Sequence, residues 1–311
     1  MSEPSYLKLY ESGEIRERIE EALRLLNPCR LCPRECGVNR LEDERGFCRT
    51  GRSARVAAFN AHFGEESPLV GRNGSGTIFF SSCNLLCSFC QNEEISHGNE
   101  GEEADPAQIA SMMIRLARGE CHNINLVTPS HVMPQMLEAL ACAVPQGLDV
   151  PLVYNSSGYD KKETLQILEG IVDIYMPDFK FWQGQWSERY CGAPDYPLRA
   201  MEAIREMHRQ VGDLVLDERG IAEKGLLVRH LVMPGGTGGT EEIMKFLADE
   251  ISRDTYVNIM DQYRPCGGAI GDESLHRRLT AEEFRTALSF AAKAGLRRLD
   301  SRERPRFLFR L

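Results

Sequence analysis

The sequence predicts an α/β fold: a partial (β/α)6 barrel of the TIM type behind a small, metal-bound N-terminal extension. Three observations predict it. From Thr77 onward, six short apolar runs alternate with stretches of helical periodicity. Each run is apolar at successive positions, as strands buried on both faces of a parallel sheet must be. Four cysteines crowd into residues 29–48, a segment with little periodicity of its own.

Taken in order, residues 14–26 place apolar side chains at helical spacing and stop at Asn27-Pro28. Residues 27–75, rich in Gly, Arg and Cys, read as a metal-organised segment followed by loops with at most a short strand or hairpin. Strands are expected within 77–82, 123–128, 150–155, 172–177, 226–233 and 256–260. Helices are expected at 106–118 after Asp105, and at 134–144, 161–169, 197–211, 240–252 and 280–294. Residues 212–224 read as a polar connection. The expected division is an extension over 1–75, a barrel over 76–300 and a tail over 301–311. In such a barrel, functional groups gather at the carboxyl ends of the strands.

Composition bounds the function. With 42% hydrophobic and 27% charged residues in 311, the chain is globular and long enough to bury a core without disulfides. The net charge of −9 supplies no footprint for a phosphate backbone, so no nucleic-acid partner is expected. No apolar run reaches membrane-spanning length, and the polar N-terminus lacks a signal-peptide core. A cytoplasmic protein with no membrane partner is the expectation. Its eleven cysteines are then reduced thiols, and clusters of them read as metal or redox ligands.

The first cluster follows the first barrel strand directly: Cys83-Asn-Leu-Leu-Cys87-Ser-Phe-Cys90. Three thiolates on one loop can hold a 4Fe–4S cluster and leave one iron open for a substrate or cofactor. The bland alternatives are a zinc knuckle with a distant fourth ligand, or cysteines buried by chance.

This Cys-x-x-x-Cys-x-aromatic-Cys loop resembles the signature of the radical S-adenosylmethionine superfamily. The resemblance covers most of residues 77–265 and is greatest to activating enzymes of the pyruvate formate-lyase type. It implies that the methionine end of S-adenosylmethionine chelates the open iron, with Phe89 near the adenine. It further implies that one electron cleaves the sulfonium to give a 5′-deoxyadenosyl radical, which abstracts hydrogen from the substrate.

Three later segments carry the likeness onward. Val153 to Tyr159 (VYNSSGY) resembles the family's aspartate-threonine-asparagine-glycine segment, and Asp173 to Lys180 (DIYMPDFK) its methionine-x-aspartate-x-lysine strand end. Together they imply Asn155, Ser156, the Met176 carbonyl and the Asp178 carboxylate as contacts to the cofactor's carboxylate side and a monovalent cation. Lys180 is implied as an anion contact. Val228 to Gly235 (VRHLVMPG) resembles the arginine strand ending in proline-glycine, from which Arg229 would reach the cofactor. Each has a plainer reading: Asp178 caps a turn, Lys180 is a surface charge, and Gly158 serves backbone geometry alone. His230, on the opposite face from Arg229, reads as a satisfied structural histidine. The family's glycine-glycine-glutamate run is missing after the second strand, where Thr128, Ser130 and backbone carbonyls could replace its contact. That departure places the chain in a divergent branch sharing the N-terminal cysteine extension.

Cys29, Cys32, Cys36 and Cys48 form the second cluster. Four closed ligands point to structure or electron relay, with zinc and an auxiliary iron–sulfur cluster both open. His62, Glu65 and Glu66 read as a solvated loop, and Cys121, Cys142 and Cys191 as buried or incidental thiols. Cys266 is expected over the barrel mouth, as a relay, a substrate contact or a loop residue. Trp182 and Trp186 would line a lid or staple it down.

The leading expectation is therefore a radical S-adenosylmethionine oxidoreductase fed by flavodoxin or ferredoxin, with a glycyl-radical enzyme as its protein substrate by resemblance. The alternatives are modification of another peptide or small molecule, or a non-catalytic iron–sulfur or zinc scaffold. A zinc hydrolase is disfavoured because no His-rich motif is present.

Overall fold

All six apolar runs form strands, and the helices between them supply the crossovers that parallel pairing requires. The computed structural model describes residues 3–98 and 100–300, so the tail over 301–311 lies outside the described residues. The chain opens with helices α1 (Tyr6–Ser12) and α2 (Glu14–Arg24), then strand β1 (Ala54–His62), the single turn α3 (Ser67–Val70) and β2 (Ser75–Phe80). After α4 (Glu93–Ser96) and β3 (Glu102–Ala104), helix and strand alternate: α5 (Pro106–Arg118), β4 (Ile124–Val127), α6 (Met133–Ala143), β5 (Leu152–Ser156), α7 (Lys162–Ile167) and β6 (Ile174–Pro177). Then come α8 (Gly184–Cys191), α9 (Tyr196–Val211), β7 (Val215–Leu216), β8 (Ala222–Leu231) and α10 (Thr240–Phe246). β9 (Tyr256–Met260), α11 (Ala281–Ala294) and β10 (Arg298–Leu299) complete the fold.

One sheet runs in the order β10-β9-β8-β6-β5-β4-β2-β1-β3, with β7 against β8. The pairings from β2 through β10 along this path are parallel, while β1 runs antiparallel to both β2 and β3. Among the described residues β2 and β10 do not pair, so the curled sheet is an open, partial barrel. Register alternates the faces. Val153, Ile174, Met176 and Leu227 point inward and pack with Leu69 of α3, which plugs the concave side. Tyr154, Tyr175 and Leu226 point outward into the larger core under the helices, with Ile109, Met113 and Ile204. β4, β5 and β6 are buried on both faces, which explains their continuous apolar sequence.

The first two helices belong to the amino-terminal end of the barrel. The Tyr6 hydroxyl donates to the Val150 carbonyl at 2.9 Å, just before β5, and the Ser5 amide donates to Asp173 at 2.9 Å, just before β6. α2 packs on α6 and α7.

Several elements differ from expectation. The nine-residue β1 occupies a stretch expected to be mostly loop, and it hydrogen-bonds into the barrel sheet. Its sequence, ARVAAFNAH, is alanine-rich and poor in β-propensity, so pairing with β2 and β3 decides its conformation. The expected polar connection over 212–224 contains β7 and the start of β8, held by their mutual ladder. α8 occupies the supposed loop after Asp178, where Trp182, Trp186 and Tyr190 repeat at a helical spacing of four. A seventh parallel strand, β10, extends the six expected. The helix at 240–252 is α-helical to Phe246 and widens into a π turn over Leu247–Ile251. Among the described residues no helix is long and apolar enough to cross a membrane.

α5 begins where Asp105 caps it: its carboxylate accepts the Gln108 amide at 2.8 Å, and the Gln108 side chain accepts the Asp105 amide at 2.9 Å. Asp105→Ala is expected to cost about 1 kcal/mol, read as a lower urea midpoint at unchanged slope.

Candidate active site

At the carboxyl ends of the parallel strands lies a cavity of ≈ 1090 Å³, its open mouth included. Residues from β2, β4, β5, β8 and β9, with Asp178 and Lys180 just past β6, face it, so the curl of the sheet alone brings them together. The segment after β2 supplies Cys83, Cys87 and Cys90 to the same cavity. Left-handed backbone at Ser82 (φ 71°) and Leu86 (φ 51°) winds this segment tightly. The Ser82 amide donates to Ile95, and the Ser88 amide to the Tyr190 carbonyl at 2.8 Å, which tethers the loop to α8.

All three thiols are raised above their ordinary values. Burial pushes Cys83 up to about 12, with Cys87 and Cys90 adding to the rise. Cys87 is raised first by its contact with the Cys191 thiol and then by burial, while Lys180 works against both. Burial raises Cys90, opposed by the Ser96 hydroxyl, which donates to its sulfur at 3.2 Å. Among the described residues no three His, Cys, Asp or Glu side chains close around a single ion.

The same cavity holds an ion-pair network. Arg229 Nε donates to Asp178 Oδ1 at 2.8 Å, Arg229 Nη2 to Asn155 Oδ1 at 2.8 Å, and Lys180 Nζ to Asp178 Oδ2 at 2.5 Å. Burial opposes the Asp178 charge, but Arg229 and Lys180 outweigh it and hold the carboxyl below its usual range. Lys180 is pushed the other way: burial would lower it, yet Asp178 and Cys87 raise it above its ordinary value. Both Asp178 oxygens thereby accept from cationic side chains, Oδ1 from Arg229 and Oδ2 from Lys180. Asn155 and Ser156 line the cavity with them. The Met176 side chain lies below, in the inward apolar cluster. Phe89 is buried on the cavity wall, edge-on to Phe181 and Tyr190.

The strand ends are pinned from behind. A Cβ on Gly158 (φ 75°) would stand 2.3 Å from the Asp178 carbonyl, so only glycine admits this approach. The Tyr196 hydroxyl shares its one proton between the carbonyls of Ser157 and Asp178, both at 2.9 Å, and accepts the Lys180 amide at 2.9 Å. Thr128, at the end of β4, lines the cavity with φ 60°, a costly conformation for a β-branched residue. Ser130, its expected companion, is buried but does not line the cavity.

Glu65 and Glu66 correct the expected solvated loop. They precede the α3 plug, which carries them into the barrel. Glu65 Oε2 lies 3.7 Å from Arg229 Nη1, and Asn258 donates to Glu66 Oε1 at 2.7 Å. A legible signal existed: two acidic residues directly before the apolar Ser-Pro-Leu-Val turn. Cys191 is a buried thiol, as expected, and its sulfur lies 3.3 Å from that of Cys87. Its position at the end of α8 could not be read without that helix.

Other expectations sort plainly. His230 is fully buried, bonded to the Phe179 carbonyl at 2.7 Å and the Thr240 hydroxyl at 2.8 Å. Cys266 packs outside the cysteine loop, donating to the Phe89 carbonyl at 3.1 Å, and is not on the cavity wall. Trp182 packs on Phe179 and Phe246, and Trp186 stacks on Tyr190; neither lines the cavity. Cys121 is buried, with its sulfur 3.9 Å from the Asn73 carbonyl.

In the second group, Cys32 lies near Cys29 and Cys48. The Cys29 amide and carbonyl pair with Val38 and Gly37, bringing Cys36 back toward Cys29. Cys36 packs on Gly46, where a Cβ would stand 2.7 Å from its sulfur, and the Phe47 amide donates to that sulfur at 3.3 Å. Burial, reinforced by neighbouring Cys48 and Cys29, pushes Cys32 up to about 12.

No family model matches the chain. It is 35% identical over 287 residues to a Methanocaldococcus jannaschii protein described as uncharacterized protein MJ0674, an alignment covering 90% of this chain and 78% of the relative. Among solved structures, native anSMEcpe with bound AdoMet superposes with a TM-score of 0.48 at 8% identity, over 70% of this chain and 61% of that one. The radical S-adenosylmethionine methyltransferase TsrM from Kitasatospora setae, solved with cobalamin and a 4Fe–4S cluster, gives 0.43 at 14% identity, over 60% and 36%. The chain spans less than two thirds of either structure, and strand order rather than these superpositions carries the fold assignment.

Arg229→Met should destabilise the fold by on the order of 3 kcal/mol, since it leaves the buried Asp178 carboxylate with one cation fewer. A carboxyl held below its unfolded value contributes stability that is present above that value, roughly 3.9, and lost as pH falls through the folded one. Without Arg229 the folded value rises, so the acid-side loss should begin at higher pH. Urea midpoints measured from pH 3 to 7 check this, and Asp178→Asn in the same background should remove the difference.

Proposed function

The chain belongs to the family of the Methanocaldococcus jannaschii protein MJ0674, and we propose, from the geometry of its cavity, that it is a radical S-adenosylmethionine enzyme. One observation carries the reading: three thiols of a single loop and the Asp178–Arg229–Lys180 network line the same strand-end cavity. The donor set suits a 4Fe–4S cluster better than one ion. Such a cluster offers each thiolate a different iron, so its ligands need not close around a point. Cys83, Cys87 and Cys90 would hold three irons and leave the fourth to the cofactor.

When bound and reduced by one electron, the cluster supplies reductive cleavage of the cofactor's sulfonium, giving methionine and a 5′-deoxyadenosyl radical. The chain's own residues bind and aim. Lys180 and Arg229 present N–H donors suited to the methionine carboxylate, with Asn155 and Ser156 beside them. Phe89 offers an apolar edge to the adenine, and the strained Thr128 stands where the family's amino-group contact is missing. The cavity wall of Phe79, Phe80, Ile95 and Val127 limits water around a radical. No general base is required for hydrogen abstraction.

The finer assignment follows from sequence likeness: a glycyl-radical-activating enzyme acting on a protein glycine, with flavodoxin or ferredoxin as electron donor. The thiols of Cys29, Cys32, Cys36 and Cys48 would hold zinc or an auxiliary iron–sulfur cluster. Metal analysis of the reconstituted chain separates these, with about four irons and one zinc in the first case and more iron without zinc in the second.

Anaerobically reconstituted, dithionite-reduced protein should convert S-adenosylmethionine to methionine and 5′-deoxyadenosine, measured by chromatography. Cys87→Ala should fall to background. Cys191→Ser should keep its cluster and its cleavage, since Cys191 touches Cys87 but does not line the cavity. A Cys87→Ala protein that cleaved as fast as the parent would sink the assignment.

A further inference from the structure

The two thiol groups are mechanically joined by the Arg34 side chain, beside a direct contact of the Cys32 thiol with the Asn84 side chain. Arg34 lies between Cys32 and Cys36 in the N-terminal segment and points toward the cavity end of the barrel. Its Nε donates to the Asn84 carbonyl at 3.0 Å and its Nη2 to the Leu85 carbonyl at 3.3 Å, both within the stretch joining Cys83 to Cys87. Nη2 also donates to the Cys191 carbonyl at 2.7 Å, and Nη1 to the Gly192 carbonyl at 2.5 Å. Cys191 is the residue whose sulfur meets Cys87. The guanidinium therefore grips both segments that flank the Cys87 thiol.

Its other side is held by the four-thiol segment. The Phe47 ring lies 3.7 Å from the guanidinium carbon, and the Phe47 amide bonds the Cys36 sulfur. Phe47 is the neighbour of Cys48. Any ligand that draws Cys36 and Cys48 together thus fixes the ring on which Arg34 rests. Only a planar fork can serve four carbonyls in two segments at once, and a lysine ammonium cannot span them.

We propose that Arg34 is a positioning residue that couples the four-thiol segment to the loop bearing Cys83, Cys87 and Cys90. Order in the first then sets the geometry of the second. The inference rests on the reading of those three cysteines as cluster ligands, but its mechanical part does not.

The test compares the full chain with Arg34→Ala, Arg34→Lys and, as a control in the same segment, Arg30→Ala. Hydrogen exchange of residues 82–92 is read on the chain as isolated and after iron–sulfide loading. Arg34→Ala should exchange there at least about tenfold faster, the effect of losing one charge-assisted hydrogen bond. Arg34→Lys should fall between, and Arg30→Ala should match the parent. After loading, Arg34→Ala should release iron to a chelator faster. Its dithionite-reduced paramagnetic resonance spectrum should also differ in g-values, with partial recovery in Arg34→Lys.

Parent-like exchange and parent-like spectra in Arg34→Ala would overturn the proposal. So would acceleration of equal size in β5, which would mark a global loss of stability rather than a local coupling. If the parent chain takes up no cluster, the proposed function fails, while the exchange comparison still decides the role of Arg34.

Discussion

A guanidinium inside a parallel barrel must be neutralised, and the cavity end of this molecule is arranged around that requirement. Arg229 projects from β8, and adjacent Asp178 meets it directly across the β6–β8 bridge. Asn155 takes a second N–H from β5, and Glu65 approaches from the plug beneath. These contacts come from sequence positions far apart, yet all converge because the strands share one direction. A buried pair of this kind adds little net stability against an apolar replacement, but its halves cannot be separated cheaply. The network therefore specifies geometry: it sets where β6, β8 and the α3 plug stand relative to one another.

Against that fixed wall stands a loop with little structure of its own. The segment from Ser82 to Asn92 is held from outside, by α8 through Tyr190, by the N-terminal segment through Arg34, and by the stretch around Cys266. Its thiols share the cavity with the charged residues, and Cys87 is raised by its contact with Cys191 and by burial, with Lys180 opposing both. The cavity thus joins two unlike surfaces: a wall of charged side chains fixed by ion pairs and a loop of thiols fixed by its neighbours. The arrangement also explains why an N-terminal extension with so little core is built onto the barrel. Its helices close the amino-terminal end through Tyr6 and Ser5, and its thiol segment reaches the carboxyl end.

The chain by itself determined the barrel's rhythm. Apolar runs at Thr77, Ile124, Leu152, Ile174, Leu227 and Tyr256 can be satisfied only by strands covered on both faces, and signals such as Asp105 mark the intervening helices. Cysteine spacing likewise separated a group of three from a group of four. These features are local, set by periodicity, capping and reach along a single loop.

Tertiary structure alone decided the rest. The alanine-rich β1 is a strand because β2 and β3 offer it hydrogen bonds. Glu65 and Glu66 are buried because the α3 turn after them plugs the barrel. Cys191 matters because α8 ends beside Cys87, and Arg34 because its fork meets carbonyls some 50 and 158 residues away. In each case the deciding partner is distant in sequence, and burial or pairing with it overrides what the local residues prefer.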